Sequence, residues 1–175
     1  MSRTKLILRF CVAACLFLCL GSMAYCQSKK ETKTFLKEKY AVRQWKNPRP
    51  NVNFEVRREL DFVDDKLVLI YESRSNRGTE NSESHFALSA LNPNNIEIMD
   101  DRHRAGWKQL YLFSTDSKKK QFPVKGFRDG KHYSYMSSGN AVLNLEADDR
   151  TMRQLAHAFK HLITLCGGKG ELFEP

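Results

Sequence analysis

From Asp148 to Cys166 the chain reads DDRTMRQLAHAFKHLITLC. Its apolar residues, Met152, Leu155, Ala156, Phe159, Leu162, Ile163 and Cys166, recur at steps of three and four. That period lays them on one stripe of an α-helix. Arg150, Arg153, Gln154, His157, Lys160 and His161 fall on the other face. Asp148 or Asp149 can cap the start, because a carboxylate accepts from the orphan N–H groups of a first turn. Gly167-Gly168 can end it, since glycine takes the left-handed conformation common at helix C-termini. The spacing predicts a helix over 148–166 with Leu155, Phe159, Leu162 and Ile163 against a core.

Ahead of this helix the period is two. Val52, Phe54 and Val56 alternate with Asn53, Glu55 and Arg57, as in a half-buried strand. Leu60–Val63 and Leu67–Tyr71 flank Asp64-Asp65 as a hairpin. Glu72–Ser84 holds no apolar residue and reads as a loop. His85–Leu91 and Ile96–Met99 flank Asn92-Pro93-Asn94-Asn95, a strand–turn–strand signal. Trp107–Phe113 is a strand, with either Leu110 and Leu112 or Tyr111 and Phe113 facing in. Asp116–Lys119 reads as a turn. Gln121–Phe127 reads as an edge strand, because Pro123 lacks an N–H. Arg128-Asp129-Gly130-Lys131 is a strong turn. Tyr133–Met136 and Ala141–Leu145 complete the strands.

The fold class expected is α+β: a mainly antiparallel barrel or sandwich of about seven strands, capped by one C-terminal helix. One domain is expected over 51–170. Residues 27–50 form a polar lead-in in which a short helix can precede Asn47-Pro48.

Residues 1–26 have a different character. Arg3, Lys5 and Arg9 precede an apolar run from Phe10 to Leu20, and Gly21, Ser22 and Ala24 follow. This is the layout of a secretory signal peptide. The run is shorter than the roughly 20 residues of a membrane anchor, so export to the periplasm or the extracellular space is expected, with no transmembrane segment in the mature chain. Cleavage fits after Ala24 or after Cys26. A lipid anchor at Cys26 is the alternative, against which Tyr25 and Met23 depart from the anchor motif.

Removal of the signal lowers the formal charge of +9 to +6. The remaining cations are scattered along the chain, whereas nucleic-acid binders concentrate theirs on one face; no nucleic-acid partner is expected. Cys11, Cys15 and Cys19 leave with the signal, so Cys166, with or without Cys26, is no disulfide framework.

Strands followed by one terminal amphipathic helix resemble the pleckstrin-homology-like (PH-like) superfold. Phe86–Pro93 and Leu155–Ile163, the latter running on to Leu-Cys-Gly-Gly168, are also similar to small exported proteins of Bacteroidota-type bacteria with no assigned activity. The resemblance covers about residues 50–170. It implies a bent sheet whose open end is plugged by the helix. PH domains carry a tryptophan in that helix, and this one has none. Lys66, Arg74 and Arg77 lack the spacing of the phosphoinositide-binding motif.

Several groupings could carry chemistry. His157 and His161 lie one helical turn apart and could share a metal, but Lys160 stands beside them and the glutamate of the zinc-protease motif is missing. They read as a solvated helix face. Asp100-Asp101 with His103 could do acid–base work, yet Arg102 and Arg104 interleave and suggest charge compensation. Asp148-Asp149 reads as helix capping. Cys166 sits where the helix dipole opposes a thiolate and reads as structural. Gly167-Gly168-Lys169-Gly170 follows a helix, the wrong end for phosphate. Lys118–Lys120 could touch an anionic surface or simply guard a hairpin.

No catalytic, cofactor or metal site is expected. The reading is an exported non-enzymatic binding or interaction module, with a protein or an anionic surface as partner, met at an open sheet edge or at Glu72–Ser84. The alternatives are a carrier of a small apolar ligand inside the barrel, or a hydrolase with a dispersed site.

Overall fold

The computed structural model describes residues 28–40, 43–47, 54–76, 78–116, 121–138 and 140–168. The proposed signal peptide, the Lys118–Lys120 run and Arg77 lie outside them.

Helix α1 (Lys29–Tyr40) comes first. The strands are β1 (Arg43–Asn47), β2 (Phe54–Val63), β3 (Lys66–Ser75), β4 (Gly78–Ala87), β5 (Leu91–Asp100), β6 (Trp107–Ser114), β7 (Gln121–Arg128), β8 (Lys131–Ser138) and β9 (Asn140–Glu146), and α2 (Asp149–Leu165) closes the chain. One 3₁₀ turn, Leu88–Ala90, links β4 to β5. All strand pairs are antiparallel. Six strands run in the order β1-β2-β3-β4-β7-β8 and three in the order β5-β6-β9. The fold is thus antiparallel sheet plus helix, as the sequence leads one to expect. The sheets are two and open; they do not close into a barrel.

Helix α2 forms for the reasons legible in its sequence. Asp148 Oδ1 accepts from Thr151 N–H at 2.7 Å. Met152, Leu155, Phe159, Leu162 and Ile163 are buried, and Gly167 takes φ 80°. The stripe meets Leu60, Leu67 and Phe86 of the six-stranded sheet, and Leu91, Leu110, Leu112, Leu143 and Leu145 of the three-stranded sheet, in one core. Full burial of one such side chain contributes about 1.5–3 kcal/mol.

The lysine-rich lead-in belongs to the same core. Thr32, Leu36 and Tyr40 of α1 are buried at a four-residue spacing. Ser28 and Glu31 form a reciprocal capping box: Ser28 N–H donates to Glu31 Oε2 (2.7 Å) and Glu31 N–H donates to Ser28 Oγ (3.2 Å), which satisfies two orphan donors. Lys29, Lys33 and Lys37, each one turn apart, reach Asp65, the Asp64 carbonyl and Asp61 of the β2–β3 hairpin. The lysines of the polar lead-in therefore fasten the helix. The helix ends at Tyr40, and β1 occupies the residues before Asn47-Pro48.

Three sequence expectations are corrected. Glu72–Ser84 is not a loop: β3 runs to Ser75, β4 begins at Gly78, and their register is unbroken from Lys66↔Ala87 to Ser75↔Gly78. Its side chains alternate between half-buried and exposed rather than between apolar and polar, so no hydrophobic period marks it. Asn92–Asn95 is not a turn between paired strands. It lies within β5, where the register with β6 is irregular between Leu91 and Ile96, and β5 belongs to the other sheet from β4. Strand β7 is interior, between β4 and β8. Pro123 is tolerated there because the β4–β7 ladder stops at Ser84↔Val124, one residue short of it.

Candidate functional site

The six-stranded sheet has a covered end and a free end. At the covered end Leu60, Leu67, Phe86 and Phe122 join the core, and the Phe86 and Phe122 rings lie 4.7 Å apart. At the free end, the first half of β4 and the β7–β8 hairpin have no buried residue from Gly78 to Ser84 or from Lys125 to Met136. A sheet wetted on both faces needs another source of order, and here it is polar.

The hairpin turn supplies part of it. Asp129 (φ 49°) and Gly130 (φ 83°) both adopt left-handed backbone, the signature of a two-residue type I′ turn. Asp129 is also docked onto β4: its N–H donates to the Thr79 carbonyl and its Oδ1 accepts from Thr79 N–H, both at 3.1 Å. Gly78 makes the room. Its φ is 142°, and a Cβ there would fall 1.9 Å from Asp129 Oδ1.

On the core-side face, Tyr133 lies across β7 at Gly126, where a Cβ would fall 2.3 Å from the tyrosine ring. The ring reaches β4, and its hydroxyl donates to Glu80 Oε1 at 3.0 Å. Arg128 donates to the same oxygen, and its guanidinium lies 5.7 Å from the Tyr133 centroid. Tyr135 stacks on Tyr133 at 6.1 Å and 22°. Burial pushes the Tyr133 phenol up and its bond to Glu80 adds to this; the separate bond from Arg128 to Glu80 raises Arg128. A cleft of about 600 Å³ is lined here by Glu80, Arg128, Lys131, His132, Tyr133 and Tyr135, with Asp129 at the turn.

The opposite face carries a second groove of about 590 Å³ across β3, β4, β7 and β8. Ile70 and Phe127 supply apolar surface; Glu72, Asn81, Glu83, Lys125, His132 and Ser134 supply polar groups. His132 meets Phe127 edge-on at 5.0 Å. His132 and Tyr133 line both clefts, so the two meet at β8. That strand is an edge of its sheet, with Tyr135 55% and Met136 54% exposed.

The groupings singled out in the sequence lie elsewhere. Asp101 is buried and structural in its contacts: it accepts from His103 N–H (2.9 Å) and from Arg104 Nε (2.7 Å), and Arg104 also lies 4.3 Å from the Trp107 ring. Burial pushes the Asp101 carboxyl up, but the bonds from His103 and Arg104 outweigh it and hold the group below its ordinary value. Asp100 and Asp149 both pair with Lys108, at 2.6 and 2.8 Å, so the first is not joined to His103. His157 is exposed and His161 half-buried; among the described residues no group of three or more His, Cys, Asp or Glu is placed to hold a metal ion. Cys166 is half-buried, 3.5 Å from Asp65 Oδ1, and burial followed by that carboxylate raises its thiol. Arg58, on the core-side face of β2 between Val56 and Leu60, lies 5.6 Å from the Tyr71 ring.

Sequence reasoning missed the free end. A cue was present: Gly126 lies seven residues before Tyr133 across a strong turn, which sets a glycine opposite an aromatic once β7 and β8 pair. Among the described residues no helix is long and apolar enough to cross a membrane. Comparisons with known protein families, with curated proteins and with solved structures found no match.

Proposed function

We propose that this chain is an exported, non-enzymatic binding module that takes a segment of a protein partner in the groove between Ile70, Phe127 and His132. The observation that carries the reading is the groove itself: apolar floor, polar rim, and about 590 Å³, within the range of small-ligand and side-chain sites. Its charges are mixed, Glu72 and Glu83 against Lys125. An anionic surface is recognised by charge of one sign, so of the two partner classes a protein segment suits the groove better. Export rests on the sequence of residues 1–26. The PH-like reading of the fold belongs with this proposal: the strands-then-helix order supports it, while the two open sheets and α1 are departures from it.

Selection of a displayed random-peptide library on the purified protein tests the reading. Enriched peptides should shift backbone amide resonances of β4, β7 and β8, and Ile70→Asp should weaken them at least about tenfold, the loss of a buried aliphatic contact next to a new charge. Peptides indifferent to Ile70→Asp and to Phe127→Ala would overturn it. So would a small apolar molecule co-purifying from the native source, which would favour a carrier.

A further inference from the structure

We propose that the outer edge of β8 pairs with the same edge of a second copy, antiparallel about a twofold axis at Ser134, joining two six-stranded sheets into one. The inference does not depend on the groove's ligand.

The turn determines which backbone groups are available. In a two-residue type I′ hairpin the residues flanking the turn are a hydrogen-bonded pair, and bonded and non-bonded pairs then alternate. Arg128↔Lys131 flank the turn. The bonded pairs are therefore Gly126↔Tyr133, Val124↔Tyr135 and Phe122↔Ser137. His132, Ser134 and Met136 belong to non-bonded pairs and point their N–H and C=O groups away from β7, to the edge. The same alternation turns the Pro123 nitrogen, opposite Met136, toward β4, where the ladder has already ended.

Natural edges are blunted by proline, bulges or charge. Edge strand β1 carries Arg43 and Lys46, and edge strand β5 carries Pro93 and an irregular register. Strand β8 has an unbroken eight-residue register with β7, no proline, and one lysine at its start. It is open where β1 and β5 are guarded.

The edge is also complementary to itself. With Ser134 opposite Ser134, His132 faces Met136 on the outward side and Tyr133 faces Tyr135 on the core side, while Lys131 faces Ser137. No like charges meet. The two exposed large hydrophobic side chains of the strand, Tyr135 and Met136, are covered by Tyr133 and His132 of the second copy. Aromatic pairs directly across strands favour pairing, and a closed twofold contact is the commonest form of self-association. Edge pairing alone buries a small interface, so a concentration-dependent dimer is expected rather than a permanent one.

Sedimentation velocity of the full chain from about 1 to 500 µM, spanning the affinities of small interfaces, provides the test. The average mass should rise from monomer toward dimer. Ser134→Pro removes an edge N–H that β7 does not use, and should remain monomeric with an unchanged circular dichroism spectrum. Ser134→Lys sets two cations on the axis, so its dimer should be lost at low salt and partly regained at high salt; this second variant decides the matter if the proline variant fails to fold. Ser134→Cys should crosslink through position 134 of both copies, mapped by mass spectrometry against the parent chain. A parent monomeric throughout, a folded Ser134→Pro that dimerises like the parent, a Ser134→Lys dimer unaffected by salt, or crosslinks mapping only to Cys166 or another parent cysteine would overturn the proposal.

Discussion

The two ends of the six-stranded sheet are built from the same strands yet ordered by different forces. At the covered end, Leu60, Leu67, Phe86 and Phe122 are removed from water by both helices and the second sheet. At the free end, Glu80, Arg128 and Tyr133 share one hydrogen-bonded cluster, and Asp129 clasps Thr79. Hydrophobic burial is nondirectional and scales with area. The polar clasp is directional and exposed, so each bond contributes little net stability. The contrast separates stability from recognition in this molecule: the end that stabilises the fold turns its apolar side chains into the core, and the end that carries the open clefts contributes less to stability.

Substitutions can break this contrast or sharpen it. Phe159→Ala, in the fully buried stripe of α2, should destabilise by about 3–5 kcal/mol, read as a fall in the urea midpoint; a loss comparable to that of a free-end variant would erase the distinction. Asp101→Asn should cost about 1.5–3 kcal/mol at neutral pH, as for hydrogen bonds to a charged partner. Because the Asp101 carboxyl is held below its ordinary value, its contribution is complete above the unfolded carboxylate pKa and is lost as pH falls through the depressed native value. Parent and variant stabilities should therefore converge in acid, and a constant gap down to about pH 2, below that unfolded value, would contradict the assignment.

At the free end the effects are smaller. Gly126→Ala should displace the Tyr133 ring and press on the Asn81 carbonyl of β4, which would lie 2.5 Å from the new Cβ, and cost about 1–3 kcal/mol, the overpacking range. The hydroxyl contact to Glu80 should disappear from the tyrosine NMR spectrum while core methyl resonances stay in place. Tyr135→Ser should change stability by no more than about 0.5 kcal/mol, as at most exposed sites, measured by thermal unfolding at a concentration where the chain is monomeric. A larger loss would mean that Tyr135 is part of a core.

Where hydrophobic period and burial coincide, the sequence was legible. Helix α2, its Asp148 cap and Gly167 exit were readable, as were the β2–β3 hairpin around Asp64-Asp65 and the turn at Asp129-Gly130. Strand β6 was readable except for its facing, which the burial of Leu110 and Leu112 settles. Glu72–Ser84 was misread because a strand between two wetted faces has no apolar alternation. Asn92–Asn95 was misread because a bulged strand uses the same residues as a turn. Helix α1 was only half read: its Ser28–Glu31 capping box was in plain view, but its lysines acquire meaning only from Asp61, Asp64 and Asp65, which lie 24 to 36 residues further along the chain.

By itself, then, the sequence determined the antiparallel-plus-helix class and the stripe that anchors it, because amphipathic period and capping are local properties of consecutive residues. Only the tertiary structure decided that the strands divide into two open sheets, that β7 is interior, and that Tyr133 crosses Gly126 to reach Glu80. Those outcomes depend on which strands become neighbours, and pairing between residues some fifty positions apart, such as Glu80 and Arg128, leaves no periodic trace in the chain.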